Sequence, residues 1–194
     1  MERRSQAGAS PTSEELIALI RRRAENLFGT QQLYCSEAVL YVLNQGLRGG
    51  LPPAMAVRLA SGFTDGIGGA GCVCGAVSGG LMALGLFLGR DGLNAQSSKR
   101  VRAKSKEIHD AFRTRFGSAC CRILTKRVRN DHKAMMEQCT HRTGETVEIV
   151  ARLILEARPD LLHQADWDFL AAQDSKIRAR FKRLLSVVIG ISTK

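Results

Sequence analysis

The chain has few aromatic residues and lacks the sequence patterns of common catalytic sites. Aromatic residues make up 5% of its 194 residues, with a single tryptophan, and of the basic runs SSKRVRAKSK, TKRVRN and SKIRARFKR only the last contains one, Phe181. It has no P-loop, no G-x-S-x-G nucleophile elbow and no C-x-x-C-H haem-attachment motif. These absences argue against nucleic acid binding by base stacking, exclude covalent c-type haem and leave no marked catalytic arrangement of serine, histidine and acid.

The first residues, MERRSQAGASPTSEE, contain no apolar segment of a secretory signal. We therefore expect the protein to be cytoplasmic and its surroundings to be reducing. In such surroundings, six cysteines favour metal ligation, redox chemistry or buried thiols over structural disulfides.

Almost no segment alternates between apolar and polar residues as a strand does, so we predict an all-α fold, a single-domain helical bundle. The expected organisation is a flexible N-terminus over residues 1–12, a helical domain with the cysteine motifs over 13–158, and a basic helical extension over 159–194. Thr12 and Glu15 have the spacing of a capping box and predict the start of the first helix.

The stretch GIGGAGCVCGAVSGG, residues 66–80, predicts a glycine-rich loop leading into a buried central helix. GIGGAG matches the dinucleotide-binding pattern, but no β-branched strand precedes it, which argues against a Rossmann site. Consecutive backbone amides and the start of a helix near Cys74 favour the thiolate form of Cys72 and Cys74. The small residues Gly75, Gly79 and Ala83 allow neighbouring helices to approach closely. The glycine-rich half of this uncharged run argues against a membrane span.

The other cysteines also lie near the ends of predicted helices. Cys35 lies in the first turns of the second helix, Cys120 and Cys121 follow a helix that ends at Gly117, and Cys139 begins another. Thiols near helix ends can converge on one point of a bundle more readily than thiols in helix middles. His141 could replace a thiolate, but a hydrogen-bonded or solvated histidine is the simpler interpretation.

These cysteines occur in a recognisable order: CSEAVL from Cys35, CGAVSG from Cys74, FGSACCRIL around Cys121, and then Cys139. The order resembles the C_GCAxxG_C_C family of redox-active proteins, with its four cysteines and CGAxxG motif. A similar module occurs in split-Soret cytochromes, where a non-haem iron-sulfur centre has been associated with it.

The resemblance implies an all-helical redox or electron-transfer protein with Cys35, Cys74, Cys121 and Cys139 as metal ligands. Cys72 and Cys120 depart from the family pattern and are alternative ligands or resolving partners. The binding loop would include the glycines Gly69, Gly71 and Gly75. Four thiolates suit a [2Fe-2S] or [4Fe-4S] cluster, and zinc is the alternative, although the spacing lacks the close C-x-x-C pairs of zinc ribbons.

Two other functions remain open on the sequence alone. The cysteines could form switchable disulfides in a metal-free thiol-disulfide protein. The formal net charge of +11 and sequence pI near 9.9 could instead mark a basic binding module for nucleic acid, an anionic surface or an acidic protein. Solvated helix faces explain these charges more simply. The expected partner is a redox protein, and a homo-oligomer is possible.

Overall fold

The computed structural model describes residues 12–90, 92–93 and 95–177. The predicted flexible N-terminus, apart from Thr12, and nearly all of the predicted basic C-terminal helix lie outside these residues. The described part is all-α and has no strand, which confirms the predicted fold class; an isolated bridge joins Val73 and Cys120. The helices are α1 Ser13–Gly29, α2 Cys35–Gly46, α3 Pro53–Ser61, α4 Thr64–Ile67, α5 Gly75–Leu88, α6 Ala95–Phe116, α7 Cys121–Thr125, α8 His132–Ala157, α9 Leu161–Gln164 and α10 Trp167–Ala171.

Helix α5 is the central helix of the bundle, as predicted. It packs against α2, α6 and α8, while α1 packs mainly against α8. The first six residues of α5 are all buried, and Gly79 lies so close to α2 that a Cβ atom there would be 2.4 Å from the Ser36 carbonyl oxygen. Close packing of α2 against α5 therefore depends on small residues, because a larger side chain would separate the two helix backbones.

Local sequence signals explain where several helices begin. The Thr12 hydroxyl accepts a hydrogen bond from the Glu15 amide at 3.2 Å, and the Glu15 carboxylate accepts one from the Thr12 amide at 2.8 Å. This is the predicted capping box. Helix α8 begins at His132, seven residues before the predicted start at Cys139, because Asp131 caps it by accepting the Ala134 amide at 3.0 Å. The prediction that Cys139 lies at a helix end is therefore wrong.

The glycine-rich loop begins with a left-handed turn. Four consecutive residues of this turn have φ between 52° and 71°: Asp65, Gly66, Ile67 and Gly68. Such angles are costly for Asp65 and especially for the β-branched Ile67. The turn contains none of the strand-to-helix geometry of a dinucleotide site.

Part of the basic sequence forms a solvated helix surface, as the simpler interpretation predicted. On α6, Lys104 pairs with Glu107 and Glu156 at 3.2 and 3.0 Å, and Lys106 pairs with Asp110. Within the described ranges, no helix combines the length and apolar character needed to cross a membrane.

Candidate functional site

Four of the six cysteines line one cavity of about 720 Å³. Each comes from a different helix: Cys35 begins α2, Cys74 caps α5, Cys121 begins α7 and Cys139 lies in the third turn of α8. We call these four residues the cavity thiols. Gly69, Gly71 and Gly75 also line the cavity. That any of these residues binds a cofactor stays a prediction.

A short backbone pairing holds two of the cavity thiols in place. The Cys121 amide donates to the Cys72 carbonyl at 2.6 Å, and the Cys74 amide donates to the Ala119 carbonyl at 2.8 Å. Gly66 packs against Cys121, because a Cβ atom at Gly66 would be only 2.6 Å from the Cβ atom of Cys121. The glycine-rich loop thus contacts the segment that carries Cys121 at a distance that larger residues could not keep.

Gly75 permits the close approach of α5 to Cys35. A Cβ atom at this position would lie 2.4 Å from Cys35 Sγ and 2.8 Å from the Phe63 carbonyl oxygen. Both distances are shorter than van der Waals contact allows. The glycine of the CGAVSG stretch therefore brings two cavity thiols, Cys35 and Cys74, to the same wall.

Burial keeps the deepest thiols protonated. Burial, together with the smaller effect of the neighbouring Cys74, raises the pKa of Cys35 to about 12. Burial likewise raises the pKa of Cys74 to about 11, although the backbone amides of Ala76 and Val77 at the start of α5 oppose it. The predicted low-pKa thiolate at Cys74 is therefore wrong, since desolvation outweighs the helix N-terminus.

The cavity thiols lie near enough to influence one another. Burial is the main cause of the raised pKa of Cys121, and a thiolate at Cys139 raises it further; Cys121 and Cys139 act in the same direction on Cys74. Among the residues that the structure describes, however, no three histidine, cysteine or acidic side chains converge on a point where one metal ion would bind. The thiols surround a space instead of meeting at a point.

Two polar groups at this wall lack ordinary partners. Arg142 is 9% exposed and donates to the Leu124 carbonyl and the Gln138 side chain at 3.0 and 2.7 Å. It has no carboxylate partner within the described part of the chain, and its Nη1 lies 3.8 Å from Cys139 Sγ. The hydroxyl of Thr143, which also lines the cavity, is buried without a hydrogen-bond partner there. The buried Arg142 cation favours an anionic group in the cavity beside it.

The sequence analysis did not select Arg142 or Thr143. A signal was available, because these residues follow Cys139 by three and four positions and so share its face of α8. Asp65 flanks the cysteines in space as well as in sequence, and it also lines the cavity.

The remaining candidates lie outside the cavity. Cys72 is exposed, and Cys120 Sγ donates to the Gly71 carbonyl at 3.1 Å; we call these two residues the flanking thiols. His141 packs edge-on against Phe116, and its Nε2 lies 4.0 Å from Glu145. Glu37 accepts the Tyr34 amide and the Ser61 hydroxyl, so its role is structural.

Comparisons with known proteins identify the class of this helical cysteine site. The family model described as "Putative redox-active protein (C_GCAxxG_C_C)" matches residues 33–153. The chain belongs to this redox-active family, which confirms the resemblance. No curated protein and no solved structure matches the chain.

Proposed function

We propose that this protein transfers electrons through an iron-sulfur cluster bound by the four cavity thiols. The observation that carries the proposal is that thiols from four separate helices surround one cavity beside a buried arginine that has no carboxylate partner among the residues the structure describes. When bound, a cluster of this kind supplies one-electron redox chemistry.

The residues around the cavity suit such a group in charge and in burial. A cluster with four thiolate ligands is anionic, so the Arg142 guanidinium would offset its charge near Cys139. The buried position of Cys74 and the half-buried position of Cys35 would limit the access of water.

The geometry gives less support to a zinc site and to a metal-free thiol-disulfide cycle. A single zinc ion needs ligands that meet at one point, and the described side chains contain no such group of three. A thiol-disulfide cycle needs an accessible thiolate, whereas burial raises the pKa of Cys74 to about 11. A multinuclear cluster is larger than one ion and deprotonates its ligands when it binds.

The test is the iron and acid-labile sulfide content of the full chain purified without oxygen, together with its visible spectrum. We expect stoichiometric iron and sulfide, with charge-transfer absorption that dithionite bleaches. Metal-free protein that also fails reconstitution with iron and sulfide would overturn the proposal, and bound zinc without sulfide would replace it with a zinc site.

A further inference from the structure

The cavity is longer than the part that the thiols occupy. Six of its lining residues lie on one face of α8: His132, Met135, Met136, Cys139, Arg142 and Thr143. At 1.5 Å per residue this face runs about 16 Å from His132 to Thr143, and about 10 Å separate His132 from Cys139. The other cavity thiols lie near Cys139, so the end at His132 carries no cysteine.

This cysteine-free end has its own set of side chains, which we call the outer compartment. Its members are Gln31, Arg129, His132, Met135 and Met136. Gln31, His132 and Met136 also border a shallow neighbouring groove, which indicates that the loop after α1 lies against the start of α8 here.

Arg129 supplies the charge of the outer compartment, while the acidic residues Glu25, Glu137 and Asp174 line only the neighbouring groove. Arg129 and His132 are exposed, and their side chains form no hydrogen bond or ion pair with the residues that the structure describes. None of its five members is acidic. Asp65, the acidic residue among those that line the cavity, acts on Cys121 and Cys139 and so lies near the thiols instead.

The compartment also offers an apolar surface. Met135 and Met136 are half-buried, and methionine side chains adapt to ligands of varied shape. Ligand sites in proteins commonly measure about 300–1,000 Å³ and combine apolar walls with a few convergent polar groups. The whole cavity, of which the outer compartment is one end, measures about 720 Å³.

We propose that the outer compartment binds a small organic carboxylate. The planar guanidinium of Arg129 matches a carboxylate in two parallel hydrogen bonds, and the His132 ring adds a further donor. The two methionines contact the apolar body of the ligand. Because such a ligand would lie beside the cavity thiols, its role as a redox substrate rests on the proposed function.

The test is fluorine NMR line broadening of 4-fluorobenzoate and of 4-fluorobenzamide, an uncharged molecule of nearly the same shape. We expect the benzoate to bind at least tenfold more tightly than the benzamide, as a charge-assisted hydrogen-bond pair provides. Arg129→Gln should weaken benzoate binding at least tenfold. Arg113→Gln, which removes an exposed arginine of α6 that does not line the cavity, should leave it unchanged.

Equal binding of the two probes, equal affinities of the two variants, or no broadening by benzoate in the millimolar range would each overturn the inference. The titration is repeated on cluster-free and on reconstituted protein. Because the outer compartment contains no thiol, benzoate should bind to both forms. Benzoate binding by protein that neither carries iron and sulfide as purified nor takes them up on reconstitution would refute the proposed function alone, and a cluster without benzoate binding would refute this inference alone.

Discussion

The cavity thiols and the flanking thiols are close in sequence but differ in their surroundings. Cys120 and Cys121 are adjacent, yet Cys121 faces the cavity while the Cys120 thiol donates to the Gly71 carbonyl. Successive side chains of extended backbone point in opposite directions, and this pair lies in the segment that pairs with residues 72–74. Cys72 is exposed, whereas Cys74 is buried. The comparison teaches that position on the cavity wall, and not cysteine density along the chain, separates the proposed ligands from the rest.

The largest expected effect comes from removing a cavity thiol. Cys74→Ala should lower bound iron and sulfide at least tenfold, because even residues outside the ligand set typically change metal affinity tenfold or more. The measurement is metal and sulfide analysis of protein purified without oxygen. Unchanged iron in this variant would remove Cys74 from the ligand set.

The next effect tests the packing that brings the cavity thiols together. Gly75→Ala should lower the free energy of unfolding by about 1–3 kcal/mol, since the new methyl group would overlap Cys35 Sγ and the Phe63 carbonyl. Gly85→Ala is the matched control, because a Cβ atom there meets nothing within 4 Å. It should stabilise the same helix by about 0.5–1 kcal/mol. Chemical denaturation measures both, and equal changes in the two variants would refute the close approach.

Burial of the cavity thiols predicts a loss of stability at alkaline pH. The pKa of Cys74 is about 11 in the folded protein and has the ordinary value of 9.0 in the unfolded chain. The folded state then holds more protons, so its stability falls as pH rises from 9 to 11, by about 2 kcal/mol for this group. In cluster-free protein with reductant, Cys74→Ala should show a shallower decline. An identical slope in both proteins would contradict a buried neutral thiol.

The sequence predicted features with strong local causes. The capping box at Thr12, the position of Cys35 in the first turn of α2 and the small-residue packing of α5 all follow from residue types at short spacing. The sequence analysis did not predict the start of α8 at His132. Asp131 is an ordinary N-cap, but the apolar pattern of the helix is clear only beyond Cys139.

The electrostatics of the site required three-dimensional information. The start of α5 suggested a stabilised thiolate at Cys74, but a single sequence does not show how deeply a cap residue is buried. Desolvation raises the pKa of Cys74, whereas the start of α5 predicted a lowered pKa. Among the described residues Arg142 has no carboxylate partner, although the sequence around it contains acidic residues that could have paired with it.

A smaller effect should follow from changing the charge beside the cavity thiols. Arg142→Met removes a buried positive charge 3.8 Å from Cys139 Sγ, so the oxidised, less negative form of a cluster would be favoured. The midpoint potential should fall by about 60 mV, which corresponds to a tenfold change in a one-electron equilibrium. Redox titration followed by visible absorption measures it. A potential equal to that of the unaltered protein would show that Arg142 does not act on the cluster.

The flanking thiols should give the smallest effect. Cys72→Ser keeps an exposed polar side chain, and Cys120→Ser keeps a donor within reach of the Gly71 carbonyl. Neither change alters the cavity wall, so iron, sulfide and midpoint potential should remain at the level of the unaltered protein. The same analyses on both single variants and the double variant test this expectation. Iron loss in either single variant would move that residue into the ligand set, and the distinction between the two groups of thiols would no longer hold.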